Sequence, residues 1–142
     1  MKSQGISSKQ MGTIAESQVV TKLLQEGFGV SWAVGDNVSW DVVSDWRGKV
    51  SRLQIKATST RASRGTWRIV AAHGSGLKQK YDRTQIDALV CVLPWAMFVV
   101  PAPKLEDVTL SFWEPGKHPR YSTKRFSLCK YEWAKERWDF LK

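Results

Sequence analysis

From Lys9 to Glu26 apolar residues recur at helical spacing, good helix formers fill the later turns, and Gly27 stands where a helix stops; the pattern predicts a helix here. Glu16, Val19, Val20 and Leu23 fall at i, i+3, i+4 and i+7, which puts a carboxylate on the apolar stripe instead of the solvated face. The period then changes. Phe28, Val30, Trp32 and Val34 alternate with small or polar residues, Gly35-Asp36-Asn37 supplies turn chemistry, and Trp40 to Trp46 follows, so two strands are expected. Arg47-Gly48-Lys49 reads as a short turn into a third strand, Val50 to Thr58, with Leu53, Ile55 and Ala57 on one face and Arg52, Gln54 and Lys56 on the other.

Thr60 to Thr66 is a polar, basic loop leading to an expected strand, Trp67 to Ala72, and a break at Gly74-Ser75-Gly76. Lys78 to Arg83 reads as a short helix. Asp87 to Leu93 and Ala96 to Val100 are short apolar runs parted by Pro94-Trp95, the pattern of buried neighbouring strands. Trp113 to Lys124, rich in Gly, Pro and basic residues, reads as a loop, and Tyr131 to Leu141 as a terminal helix in which Trp133 and Trp138 are packing anchors. Helix, strands, a further strand pair and a closing helix predict an α/β fold in which a mixed β-sheet is flanked by helices. With 142 residues, 42% of them hydrophobic and 25% charged, the chain fits one domain, 1–142, with its own core.

No apolar run approaches the roughly 20 residues that cross a bilayer, and Met1 to Met11 lacks the apolar core of a signal peptide, so no membrane partner and a cytoplasmic location are expected. Lys and Arg number 22 against 13 Asp and Glu, a formal charge of +9 that favours a polyanionic partner, nucleic acid first; an ordinary basic surface is the bland alternative. Arg61, Arg64 and Arg68, with Lys117, Arg120, Lys124 and Arg125, form two basic clusters in or beside expected loops, where they could track DNA phosphates. Cys91 and Cys129 have no zinc-site spacing, Cys91 reads as a core residue, and His73 and His118 are isolated.

The candidate chemistry lies on the hairpin. Asp41 heads one strand and Gln54-Ile55-Lys56 lies on the strand after the next turn, 54 − 41 = 13 residues later. Period-two geometry puts Gln54 and Lys56 on one face, and Glu16 can approach from a helix packed over the sheet. Phosphodiester hydrolysis needs a divalent cation, an activated water and a group that stabilises developing negative charge. Asp41 can bridge a Mg²⁺ ion, the Gln54 amide oxygen and the Ile55 carbonyl can complete its shell, and Glu16 can bind directly or through water, while Lys56 orients the water. The bland reading makes Gln54 and Lys56 the solvated face of a half-exposed strand, Asp41 the end of a turn, and Glu16 a carboxylate that pairs with a lysine. Asp87 at the start of its apolar strand reads as a buried structural carboxylate or strand cap, without a catalytic role.

Glu16, Asp41 and Gln54-Ile55-Lys56 in this order on a helix-then-hairpin scaffold resemble the PD-(D/E)XK nuclease signature. Gly12-Thr13-Ile14-Ala15-Glu16, Gly35-Asp36-Asn37, Trp40-Asp41-Val42-Val43, Leu53-Gln54-Ile55-Lys56, Ile86-Asp87-Ala88-Leu89-Val90, Lys130-Tyr131-Glu132 and Trp138-Asp139 further resemble the small bacterial group I intron homing endonucleases of that class. Each piece is weak alone, and the ordered set is what is specific. The resemblance implies a restriction-endonuclease-like core, cleavage of double-stranded DNA that depends on Mg²⁺ with Mn²⁺ as a substitute, and assembly into a homo-oligomer, a dimer or a tetramer. Two positions depart from the general pattern: Gln54 stands where most of the class has Glu or Asp, which removes a formal charge, and Trp40 replaces the motif's Pro. Two other readings stay open. Archaeal Holliday junction resolvases show a similar order of helix, Asp and acidic-x-Lys, and a DNA-binding module without catalysis is compatible with Gln54.

Overall fold

Ser7 opens the helix with a reciprocal cap: its hydroxyl accepts the Gln10 N–H at 3.2 Å, and the Gln10 side chain accepts the Ser7 N–H at 2.8 Å. Helix α1 then runs Ser8–Gln25 and closes as a Schellman motif, with Gly27 at φ 94°, its N–H bonded to Leu24 O and the Phe28 N–H bonded to Leu23 O. This is the computed structural model of the chain, and it describes residues 5–58, 61–63, 65–73, 79–81, 84–115 and 130–142, with the backbone alone at 61–63, 73, 79 and 80.

Among the described residues ten strands follow in chain order: β1 (Gly29–Trp32), β2 (Val42–Trp46), β3 (Lys49–Ala57), β4 (Arg61–Ser63), β5 (Thr66–Val70), β6 (Ala72–His73), β7 (Gln79–Lys80), β8 (Ala88–Val92), β9 (Met97–Pro101) and β10 (Thr109–Trp113). The central sheet has the order β1-β2-β3-β8-β9, antiparallel except for the parallel pair β3 and β8. Arg47 and Gly48 both take positive φ, 51° and 94°, which matches the two-residue turn whose twist suits a β2–β3 hairpin. That turn fixes the register as Val42 opposite Leu53.

Each face of the sheet carries its own core. On one, Ala15, Val19 and Leu23 of α1 pack with Val42, Leu53 and Val90. Val19 and Leu23 are fully buried, and each such side chain contributes about 1.5–3 kcal/mol. On the other face Leu89, Cys91, Phe98 and Val100 meet Ile69, Leu110 and Phe112 from a second sheet of order β10-β5-β4. The mixed α/β sheet is therefore as expected, and so are α1, the hairpin and the buried pair β8 and β9.

Several expectations fail for identifiable reasons. Tyr131 to Leu141 is not one helix but two 3₁₀ turns, Glu132–Ala134 and Trp138–Leu141. Between them Lys135 is extended and bridges Phe98, the Glu136 N–H donates to Met97 O, and Glu136 sits at φ 52°, so backbone groups that a helix would use internally extend the sheet at its β9 edge. Trp138 is nonetheless a buried anchor, whereas Trp133 stays 40% exposed while its ring contacts Tyr131 and Phe140. Lys78 to Arg83 is no helix where it is described, since Gln79–Lys80 pairs antiparallel with Ala72–His73. Trp67 to Ala72 is split at Ala71, whose N–H bonds Val108 O. Strand β10 was not anticipated, although Leu110 and Phe112 alternate as a buried face. Trp113 ends β10 instead of opening a loop, and 116–124 of that expected loop lie outside the described residues. Among the described residues no helix is long and apolar enough to cross a membrane.

Candidate active site

Strand β2 starts one residue after Asp41, while β3 runs on as far as Ala57. A backbone donor of β3 therefore lies past the end of the β2 ladder, and the Asp41 side chain takes it: the Ile55 N–H donates to Asp41 Oδ2 at 2.8 Å. The Gln54 amide Nε2 donates to the same oxygen at 2.9 Å, and the Asp41 N–H donates to Leu53 O at 2.8 Å. Asp41 is thus tied to β3 through its own N–H and through Oδ2, and Oδ1 has no hydrogen-bond partner among the described residues.

Glu16 reaches this point from the apolar stripe of α1, where it is half-buried one residue after fully packed Ala15. Burial raises its pKa, and the neighbouring Asp41 charge raises it further. Burial likewise raises Asp41, more than the Ile55 N–H and the Lys56 ammonium lower it. Two adjacent carboxylates that both resist ionisation are short of positive charge, and a divalent cation supplies it. The donor set fits such a cation: two carboxylates, the Gln54 amide and the Ile55 carbonyl are all hard oxygens. Gln54 now turns its Nε2 toward Asp41, so an N–H stands where a cation would, and a half-turn of the amide presents oxygen in its place. No cluster of three or more His, Cys, Asp and Glu that could hold a metal occurs among the described residues, so the set depends on the amide and the backbone as well as on the two acids.

Two clefts meet at these groups. One, of about 450 Å³, is lined by Ser8, Met11 and Gly12 of the first turns of α1 together with Ile55, Lys56 and Thr58. The other, of about 610 Å³, is lined by Trp32, Asp36, Ser39, Trp40 and Tyr81. Glu16, Asp41 and Gln54 line both. The five residues read from the sequence as one constellation, Glu16, Asp41, Gln54, Ile55 and Lys56, are therefore together in space.

The basic clusters fare differently. Arg68 lies exposed on β5 and lines neither cleft. Arg61 is described by backbone alone, and Arg64, Lys117, Arg120, Lys124 and Arg125 lie outside the described residues. Sequence reasoning missed Tyr81. Its ring centroid lies 6.0 Å from Lys56 Nζ, and its pKa is raised by burial and by the charge of Asp41. An aromatic among Lys and Gln residues gives no local sign of such a role.

Comparison with known proteins bears on this geometry. The family model of the PD-(D/E)XK endonucleases matches residues 6–113, which include Glu16, Asp41, Gln54 and Lys56. The structure of the bacterial homing endonuclease I-Ssp6803I is similar with a TM-score of 0.72 and 21% identity over 95% of this chain and 91% of that one, which speaks for the fold. Hjc, a Holliday junction resolvase from Archaeoglobus fulgidus, gives a TM-score of 0.47 at 13% identity over 73% of this chain and 84% of its own, too slight to support an argument. No curated protein matches.

Proposed function

Because the chain belongs to the PD-(D/E)XK endonuclease family, we propose that it is a metal-dependent endonuclease of the homing kind that hydrolyses phosphodiester bonds at a specific site in double-stranded DNA. The observation that carries the reading is the junction of two clefts at Glu16, Asp41 and Gln54, with Lys56 beside them. Asp41, Glu16, the Gln54 amide oxygen and the Ile55 carbonyl would hold Mg²⁺, with Mn²⁺ as a substitute. A divalent cation there supplies charge neutralisation of the phosphate and acidifies water.

The chain's own groups do the rest. Asp41, held through Oδ2 by the Ile55 N–H and the Gln54 amide, keeps Oδ1 available to a cation. Lys56 orients the attacking water and counters the charge that grows on the phosphate oxygens. Glu16, which borders both clefts beside Asp41, accepts the water's proton directly or through a second water. The net charge of +9 attracts the substrate, with Arg61, Arg64, Arg68, Lys117, Arg120, Lys124 and Arg125 as the phosphate contacts. A subunit of this size spans little duplex, so a long specific target calls for a homo-oligomer, a dimer or tetramer, which sedimentation of the DNA complex measures.

Gln54 supports a competing reading, a module that binds DNA without cutting, since its amide removes one charge from the site. Incubating purified protein with a plasmid library and Mg²⁺ separates the two. The nuclease linearises only plasmids that carry its site, and parallel linear and four-way substrates report whether duplex or branched DNA is cut. Binding without a nick at any Mg²⁺ or Mn²⁺ concentration overturns the nuclease reading.

A further inference from the structure

A lysine that must aim at one water is a long, flexible group, with about 2 kcal/mol of side-chain rotamer entropy to lose when it is ordered. Lys56 is half-buried on β3, and its ammonium, though it feels the Asp41 charge, makes neither a hydrogen bond nor an ion pair among the described residues. What it does have is an aromatic face: the Tyr81 ring centroid is 6.0 Å from Nζ, at the outer limit of a cation–π contact. That ring is itself buried. Tyr81 is only 6% exposed and packs into the core that contains Ile86, Leu89 and Cys91 on the face opposite α1. It also lines the larger cleft together with Glu16, Asp41 and Gln54. A rigid ring from a separate segment, next to β7, thus borders both the mobile cation and the carboxylates.

We infer that Tyr81 is a positioning residue of the active site: its ring, anchored in the core, holds the Lys56 ammonium in the orientation that the hydrolytic step uses. The inference rests on the nuclease reading for its kinetic consequence, but not for its geometry. The ring is the working part, and the hydroxyl is dispensable. Lost as orientation, a contact of this kind appears as about tenfold in kcat.

The test has two arms. In metal-free protein carrying ¹³C-labelled lysine, the ε-methylene resonance of Lys56, assigned by its loss in Lys56→Met, is expected upfield under the ring. It stays there in Tyr81→Phe and moves to the ordinary lysine position in Tyr81→Leu. In plasmid nicking with saturating Mg²⁺, Tyr81→Leu is expected to lower kcat about tenfold with little change in KM, and Tyr81→Phe to recover most of that loss. In a Lys56→Met background Tyr81→Leu is expected to add nothing, which separates positioning from general damage to the core. The inference is overturned if the Lys56 resonance is the same in wild type and Tyr81→Leu, if Tyr81→Phe loses as much rate as Tyr81→Leu, or if the two substitutions lower the rate independently. A wild type that cuts no DNA would refute the proposed function instead, and the resonance arm would still decide whether Tyr81 holds Lys56.

Discussion

Two aspartates stand just ahead of strands that flank β3, and each accepts a backbone N–H of β3 with its side chain: Asp41 from Ile55 at 2.8 Å, Asp87 from Arg52 at 2.7 Å. The resemblance ends at the next partner. Asp87 also receives the Arg52 guanidinium, with Nε at 3.0 Å and a second nitrogen at 3.2 Å, and this pairing lowers its pKa. Among the described residues Asp41 receives only the neutral Gln54 amide as a direct side-chain donor, it lies near Glu16, and burial raises its pKa. The same device of the fold, an aspartate completing a strand ladder, is thus neutralised by arginine in one copy and left short of positive charge in the other. The first arrangement holds the sheet together, and the second is ready for a cation and a phosphate.

That contrast can be broken most sharply at the level of activity. Asp41→Ala or Lys56→Ala is expected to lower DNA cleavage by about a thousandfold or more while leaving salt-sensitive DNA binding in place, as gel shifts over a salt series would record. Asp87→Ala, assayed at a temperature where it is folded, is expected to cut at close to the wild-type rate. Gln54→Glu sharpens the comparison from the other side. A third carboxylate beside Asp41 is expected to tighten Mg²⁺ binding about tenfold, read by calorimetry, and to lower the melting temperature of the metal-free protein, because like charges then crowd one site.

The stability effects are smaller and opposite in sign. Removing the Asp87 side chain takes the carboxylate away from the Arg52 N–H and from a guanidinium that keeps the Thr84 carbonyl at 3.0 Å, a loss of about 1–2 kcal/mol once allowance is made for a carboxylate that is 39% exposed. The loss is measurable by urea denaturation. The pH dependence follows from the directions of the shifts. Asp87 ionises at lower pH in the folded chain than in the unfolded one, so its contribution is whole above the ordinary carboxylate range and fades as the pH falls through it. Glu16 and Asp41 take up protons at higher pH when folded than when unfolded, so acidification through their range stabilises the metal-free fold. Melting curves between about pH 7 and about pH 2 should therefore show a shallower acid loss for Asp87→Ala, confined to the lower end of that range, and a steeper one for Asp41→Ala.

What the sequence made legible follows the same division between local and distant causes. The stripe Glu16, Val19, Val20 and Leu23 placed a carboxylate over the sheet because helical periodicity alone decides it, and in the structure Val19 and Leu23 are buried with Glu16 beside Asp41. Arg47-Gly48 set the hairpin, so Asp41 and Gln54 came together without any knowledge of the rest of the fold. Tyr81 was invisible because its place depends on how 79–81 returns to the sheet, which no local pattern encodes. The closing segment misled for a similar reason. Glu132 and Glu136 stand four apart, as on one face of a helix, but the β9 edge competes for the backbone at Lys135 and Glu136 and wins. Arg52 gave no hint that it belongs with Asp87, since the pairing joins strands that are neighbours only in the folded sheet.

The central claim, that one of the two ladder-completing aspartates serves chemistry and the other serves the fold, meets its most direct test in a single cleavage assay. Wild type, Asp41→Ala and Asp87→Ala are incubated with the same target-bearing plasmid library, with Mg²⁺ and with EDTA. The account predicts linear product from wild type and Asp87→Ala in Mg²⁺ alone, and none from Asp41→Ala, although all three bind the DNA. Cutting by Asp41→Ala at the wild-type rate, or by wild type in EDTA, would contradict it.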